Sequence, residues 1–174
     1  SILGEKQTRD AVIHLLERHG FSELREERTQ RGTATTQVIE GRSPDQGLVR
    51  LHVRLCWRRD GRNAREDSYS AAQLRAKLIE GDWERTLAFI AERSAEDGIT
   101  HALLVQGGRD GITMVAMVPS DQIPAIWQRQ REVSAEVIAR GETGRWRKNH
   151  AENGSSPTIW LQDDRWAATH VVAD

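Results

Sequence analysis

The sequence predicts an α+β fold: a single domain built on a mostly antiparallel sheet flanked by helices. Three observations carry that expectation. Residues 49–59, Val-Arg-Leu-His-Val-Arg-Leu-Cys-Trp-Arg-Arg, alternate apolar and polar side chains with the period of two that a half-buried strand requires. Two apolar, β-rich runs, 100–106 and 112–118, are separated by Gly107-Gly108-Arg109-Asp110-Gly111, the strongest hairpin signal in the chain. Apolar residues at helical spacing mark stretches before, between and after these strands, an order that places helices against a sheet.

The first helix is expected over 5–19, where Ala11, Val12, Leu15, Leu16 and His19 share a face and Gly20 supplies a stop. Residues 22–31 are a charged run. Residues 33–40 are rich in β-formers, and Gly41 to Gly47, with Ser43-Pro44-Asp45 inside, read as a turn into the strand at 49–59. The two segments are expected to form an antiparallel hairpin. A polar loop over 60–70 follows, then a helix from Ser70 to about Ile79 with Ser70 as its cap. Gly81-Asp82 breaks that pattern, and Trp83 to Ala95 read as a further helix. The hairpin at 100–118 ends at Pro119, and 121–139 carry Ile123, Ile126, Trp127, Val133 and Val137 at helical spacing until Gly141 and Gly144. A polar loop and a short strand at 158–162 complete the reading. Residues 1–174 are taken as one domain, with 141–174 a C-terminal loop and strand that Trp160 and Trp166 pack back onto the body.

At 174 residues the chain is long enough for one substantial core. Charged residues make up 29% with a formal net charge of −1, so affinity for a polyanion must come from a patch and not from overall charge. Cys56 is the single cysteine, which excludes an internal disulfide and a multi-cysteine zinc site. No long apolar run and no basic-then-apolar leader are present, so a cytoplasmic protein without a membrane partner is expected.

The charge is unevenly placed. On the 49–59 strand the polar positions are Arg50, His52, Arg54 and Arg58, and Arg59, Arg62 and Arg65 come soon after. Guanidinium groups match phosphates and base edges, so this ribbon suggests nucleic acid. The alternative is a solvated face whose arginines pair with Asp and Glu on nearby helices. A second cluster, 145–157, reads Arg-Trp-Arg-Lys-Asn-His-Ala-Glu-Asn-Gly-Ser-Ser-Pro. Arg145, Arg147 and Lys148 can meet phosphates, Asn149 and Asn153 can read base edges, and Ser155 and Ser156 can bind phosphate. The alternative is an ordinary surface turn, with Asn153-Gly154 serving geometry and Trp146 packing on the core.

Catalytic signals are thin, and no catalytic residue, metal ligand or cofactor is assigned. A helix followed by such a hairpin also begins many nucleases of the restriction-endonuclease fold, which hold a divalent cation with an Asp and a Glu-x-Lys pair on adjacent strands. Here the central strand offers His52 and Arg54, neither a magnesium ligand. Of the six histidines, His14 and His19 lack zinc spacing, and His150 lacks the partners that an HNH nuclease site needs. Cys56 has no evident base partner, and the glycine-rich turn at 107–111 joins two strands without the helix a nucleotide loop requires.

The segments Leu55-Cys-Trp-Arg-Arg, Tyr69-Ser-Ala-Ala-Gln-Leu, Gly81-Asp82-Trp83, Ile126-Trp127-Gln128 and Lys148-Asn-His-Ala-Glu-Asn-Gly-Ser-Ser-Pro-Thr-Ile-Trp-Leu resemble the N-terminal DNA-reading domain of actinobacterial modification-dependent (type IV) HNH restriction endonucleases. The resemblance covers the chain from about residue 50 onward. It implies a non-enzymatic domain that recognises 5-methylcytosine in double-stranded DNA and targets a nuclease domain elsewhere in a longer parent chain. In that role Arg50, Arg54, Arg58, Arg59, Arg62, Arg147 and Lys148 would neutralise phosphates, and His52 is a further DNA-binding candidate on the same strand. Asn149, His150, Asn153, Ser155 and Ser156 would contact base edges or the adjoining backbone. Trp57 and Tyr69, nearest the ribbon, are the candidates for the modified base, because a methyl group in the major groove calls for an apolar contact. Two rival classes stay open: a degenerate restriction-endonuclease-fold protein that binds DNA without modification preference, and a protein–protein module that uses the tryptophans.

Overall fold

A computed structural model of the chain describes residues 4–32, 34–58, 72–75, 79–107, 111–141, 158–160 and 170–173. Helix α1 (Glu5–Arg18) leads into a three-stranded meander, β1 (Ser22–Arg31), β2 (Ala34–Ser43) and β3 (Gly47–Arg58). A short strand, β4 (Ala72–Arg75), precedes α2 (Trp83–Glu96). The hairpin β5 (His101–Gly107) and β6 (Ile112–Pro119) follows, then α3 (Ile123–Ala139) after one 3-10 turn, and finally β7 (Thr158–Trp160) and β8 (Val171–Ala173). The main sheet runs β1-β2-β3-β5-β6-β8, with β4 paired to β3 and β7 paired to β4. All pairings are antiparallel except β3 with β5, which the α2 crossover makes parallel. The predicted α+β class with a mostly antiparallel sheet is the observed one.

Helices lie on both faces. On one face α1 sets Val12, Leu15 and Leu16 against Ile39, Leu51, Val53, Leu103, Val105 and Val115. On the other, Trp83 and Leu87 of α2 and Ile123, Ile126 and Trp127 of α3 cover Ala102, Leu104, Ala116 and Val118. Central β5 is consequently buried along both sides from His101 to Gln106, which is why it reads as a nearly unbroken apolar run. The Gly4 N–H donates to Gln7 Oε1 at 3.1 Å to start α1, and Asp82 Oδ1 accepts from the Arg85 N–H at 3.0 Å to start α2.

Three expectations change. The charged run 22–31 is β1, an edge strand whose Glu and Arg side chains keep it from pairing with another chain. The helix expected from Ser70 to Ile79 is not formed at 72–75, where β4 pairs with the end of β3 and with β7; sheet hydrogen bonds outweigh the helix preference of Ala-Gln-Leu-Arg. Residues 70, 71 and 76–78 lie outside the described residues. The turn expected over 41–47 narrows to Pro44–Gln46, because β2 stays paired to β3 as far as Ser43. Gly41 is needed there: a Cβ on it would come within 2.4 Å of Leu24 Cδ2 and 3.1 Å of the Ser22 carbonyl oxygen. β8 was not foreseen. The loop at 60–70, residues 161–162 of the last expected strand, and Trp146 and Trp166 lie outside the described residues.

Candidate nucleic-acid interface

The outward row of β3 is set by register. Val38, His52 and Ala102 stand in one line across β2, β3 and β5, with Glu40 beside Arg50 and Glu27 beside Val38. Helices α2 and α3 cover the β5–β6 half of this face and reach only partway over β3. Arg50, His52 and Arg54 are therefore half-buried, where the sequence reading put them in open solvent.

Each has a distinct environment. Arg50 pairs with Glu40 at 2.5 Å and Glu27 at 3.6 Å, and its Nε donates to the Asp97 carbonyl oxygen at 2.9 Å. Its charge is balanced within the domain, by carboxylates on the neighbouring strands β1 and β2 and not on the helices that the solvated-face alternative named. Arg54 lies over the Trp127 ring, 5.9 Å from its centroid, a cation–π contact to a wholly buried indole. Burial, followed by the nearby Arg54 charge, pushes His52 down to about 4. His52 is thus a neutral ring near pH 7 and adds hydrogen-bonding capacity to the row without adding charge.

On the opposite face a buried polar node joins α1 to β2. Arg9 Nη1 donates to Gln37 Oε1 and Nη2 to the Thr35 carbonyl oxygen, both at 3.2 Å. Gln37 Nε2 donates to the Arg9 carbonyl oxygen at 3.1 Å and to Glu26 Oε2 at 3.2 Å. Adjacent strands β2 and β3 thus present Gln37 beside Val53 on one face and Glu40 beside Arg50 on the other. Neither position pairs two carboxylates, and the described residues contain no group of three or more His, Cys, Asp or Glu able to hold a metal ion.

Most of the remaining candidates lie outside the described residues: Arg59, Arg62, Tyr69, Arg147, Lys148, Asn149, His150, Asn153, Ser155 and Ser156. Arg65 and Arg145 do too. Trp57 and Arg58 are the last residues of β3, in register with Gln73 and Ala72. The backbone nevertheless fixes where the two polar segments attach. Residues 59–71 connect Arg58 to Ala72, and 142–157 lead to Thr158, which pairs with Arg75. The first attachment point is on β4 and the second on its neighbour β7, opposite the far end of β4, so the two are roughly 11 Å apart at ~3.3 Å per residue along the strand and ~4.8 Å across.

The sequence reading missed Arg25, Arg31 and Arg42. Register puts Arg25 beside Glu40 and Arg31 two rungs beyond Thr29, on the face that carries Arg50 and Arg54. Arg42 is exposed and pairs with Glu23 at 3.0 Å. The available signal was the period-two series Arg25, Glu27, Thr29, Arg31, obscured because both faces of β1 are polar. Among the described residues no helix is long and apolar enough to cross a membrane. No family model matches the chain, and neither a curated protein nor a solved structure matches it.

Proposed function

We propose that the chain is a DNA-binding domain that recognises 5-methylcytosine-containing duplexes and directs a separate nuclease domain to them. The observation that carries this reading is the small sheet extension β3–β4–β7. It attaches the arginine-bearing segment 59–71 to β4 and the amide- and hydroxyl-bearing segment 142–157 to β7, two short strands paired with each other. Phosphate-neutralising and base-reading groups must act together for specific recognition, and anchors roughly 11 Å apart meet that requirement. The methylcytosine preference rests on the sequence resemblance described above. A single methyl group contributes only ~1 kcal/mol by burial, so strong discrimination needs an enclosing contact, for which Trp57 and Tyr69 are the proposed side chains.

Mobility shifts on matched methylated and unmethylated duplexes over a salt series test the proposal. The expected result is tighter binding to the methylated duplex and an affinity that falls steeply with salt. Asn149→Ala and Asn153→Ala should each cost discrimination, by about 1–3 kcal/mol for a lost bidentate base contact, more than they cost plain affinity. Equal affinity for both duplexes would favour the second reading, an endonuclease-fold protein without modification preference, to which the α1-then-meander start lends weight. Absence of duplex binding at low salt would refute both.

A further inference from the structure

The β1–β2 hairpin parts from β3 before it ends. Strand β2 last pairs with β3 at Gln37 and Val53, yet its pairing with β1 continues through Thr36–Thr29, Thr35–Gln30 and Ala34–Arg31. Over those further rungs, about 10 Å of strand, the hairpin is a two-stranded ribbon unpaired with β3, although β3 itself runs on to Arg58. Gly32, with φ of 60°, supplies the left-handed backbone at its tip. Residues 28–36 read Arg-Thr-Gln-Arg-Gly-Thr-Ala-Thr-Thr, without an acid or a large apolar side chain. A ribbon with no apolar face is marginal by itself, so its root must be held. Arg9 takes the Thr35 carbonyl at that root, and Arg28 pairs with Asp10 of α1 at 2.6 Å and with Glu26.

The two sides of the ribbon differ. Arg28 and Gln30 point with Gln37 to the α1 side, where Arg28 is already neutralised. Thr29, Arg31 and Thr36 continue the outward face of the sheet and are exposed. Among the described residues Arg31 has no ion pair. Register also fixes the end of the domain concerned: Ala34 is level with Cys56 of β3, which pairs with Gln106 of β5. The ribbon therefore lies beside the end at which β3 leads into the 59–71 segment.

We propose that this ribbon enters the major groove of duplex DNA, with Thr29, Arg31 and Thr36 facing the bases and phosphates. The inference rests on the DNA-binding reading above and adds to it a groove and an element. A two-stranded β-ribbon fits the major groove, which is ~12 Å wide. The cationic, acid-free sequence of the ribbon complements a polyanion and gives an apolar protein partner nothing to bury.

Fluorescence anisotropy of the full chain on short labelled duplexes tests the proposal. Arg31→Ala, the double variant Thr29→Ala/Thr36→Ala and Gln30→Ala are compared with the unmodified chain, and urea unfolding checks that each is folded. Arg31→Ala should weaken binding about fivefold or more and lower the salt slope by about one. The double threonine variant should also bind more weakly, while Gln30→Ala, on the α1 side, stays near the unmodified chain. Methyl green, a major-groove ligand, should compete, and netropsin, a minor-groove ligand, should not. Full affinity in both Arg31→Ala and the threonine pair, or competition by netropsin alone, overturns the ribbon proposal and leaves DNA binding standing. Failure of the unmodified chain to bind any duplex at low salt overturns both.

Discussion

Replacing Arg9 by methionine should destabilise the domain by about 2–4 kcal/mol, and the estimate follows from the groups left behind. Arg9 is 7% exposed and Gln37 fully buried, so Gln37 Oε1 would lose its only described donor in a place water does not reach. An orphaned buried acceptor costs about 1–3 kcal/mol. The Thr35 carbonyl is only half-buried and can recruit water, so its lost bond adds ~1 kcal/mol. The bond to Glu5 contributes little, because that carboxylate is 42% exposed. Methionine retains much of the aliphatic packing of the arginine stem, which confines the loss to the polar contacts. Urea unfolding followed by circular dichroism measures the change, provided the slope against denaturant stays constant. The double variant Arg9→Met/Gln37→Leu removes donor and acceptor together, so it should lose less than the sum of the two single changes, with a coupling of about 1–3 kcal/mol. Hydrogen exchange should quicken at Thr35 and Thr36, since Arg9 holds the root of the ribbon. A loss below ~0.5 kcal/mol for Arg9→Met, or strictly additive single changes, would refute this account of the node.

Further outcomes follow from other sites. His52 has a lower pKa folded than unfolded, so the unfolded chain takes up the proton first; its contribution is complete above pH 6.5 and is lost as pH falls toward 4. Up to about 3 kcal/mol of stability is involved, and His52→Gln should flatten urea-derived stability across that window. His101 is lowered by its burial and then by His170, and shifts stability in the same direction. Gly41→Val should cost about 1–3 kcal/mol through overlap with Leu24 and the Ser22 carbonyl, read as a lower urea midpoint; an unchanged midpoint would mean that β1 shifts freely. Arg54→Ala should cost ~0.5–1 kcal/mol of stability through Trp127. The same substitution should lower the salt slope of DNA binding by about one, and an unchanged slope would return Arg54 to a purely structural role.

Periodicity was enough where one side of an element is apolar. The stripe of α1, the alternation along β3, the unbroken run of β5 and the glycine-rich turn before β6 each report burial directly, and burial repeats with the period of the element. Such signals also located the basic row at Arg50, His52 and Arg54, because arginine placed opposite valine and leucine marks an outward face. Where neither side is apolar the period is silent: β1 carries charge on both faces, so its sequence shows only a charged run. Ala72–Arg75 has a local preference for helix, and pairing with two strands distant in sequence made it β4. Tertiary structure alone decided what the basic row could do. It brought Glu27 and Glu40 to Arg50 and put Trp127 beneath Arg54. Burial likewise made His52 neutral. Register counting across β2 was needed to show that Thr29, Arg31 and Thr36 lie beyond the last rung that joins β2 to β3. Sequence states which side chains a strand carries; strand order and the point where pairing stops determine which of them face one another and which are left to meet a partner.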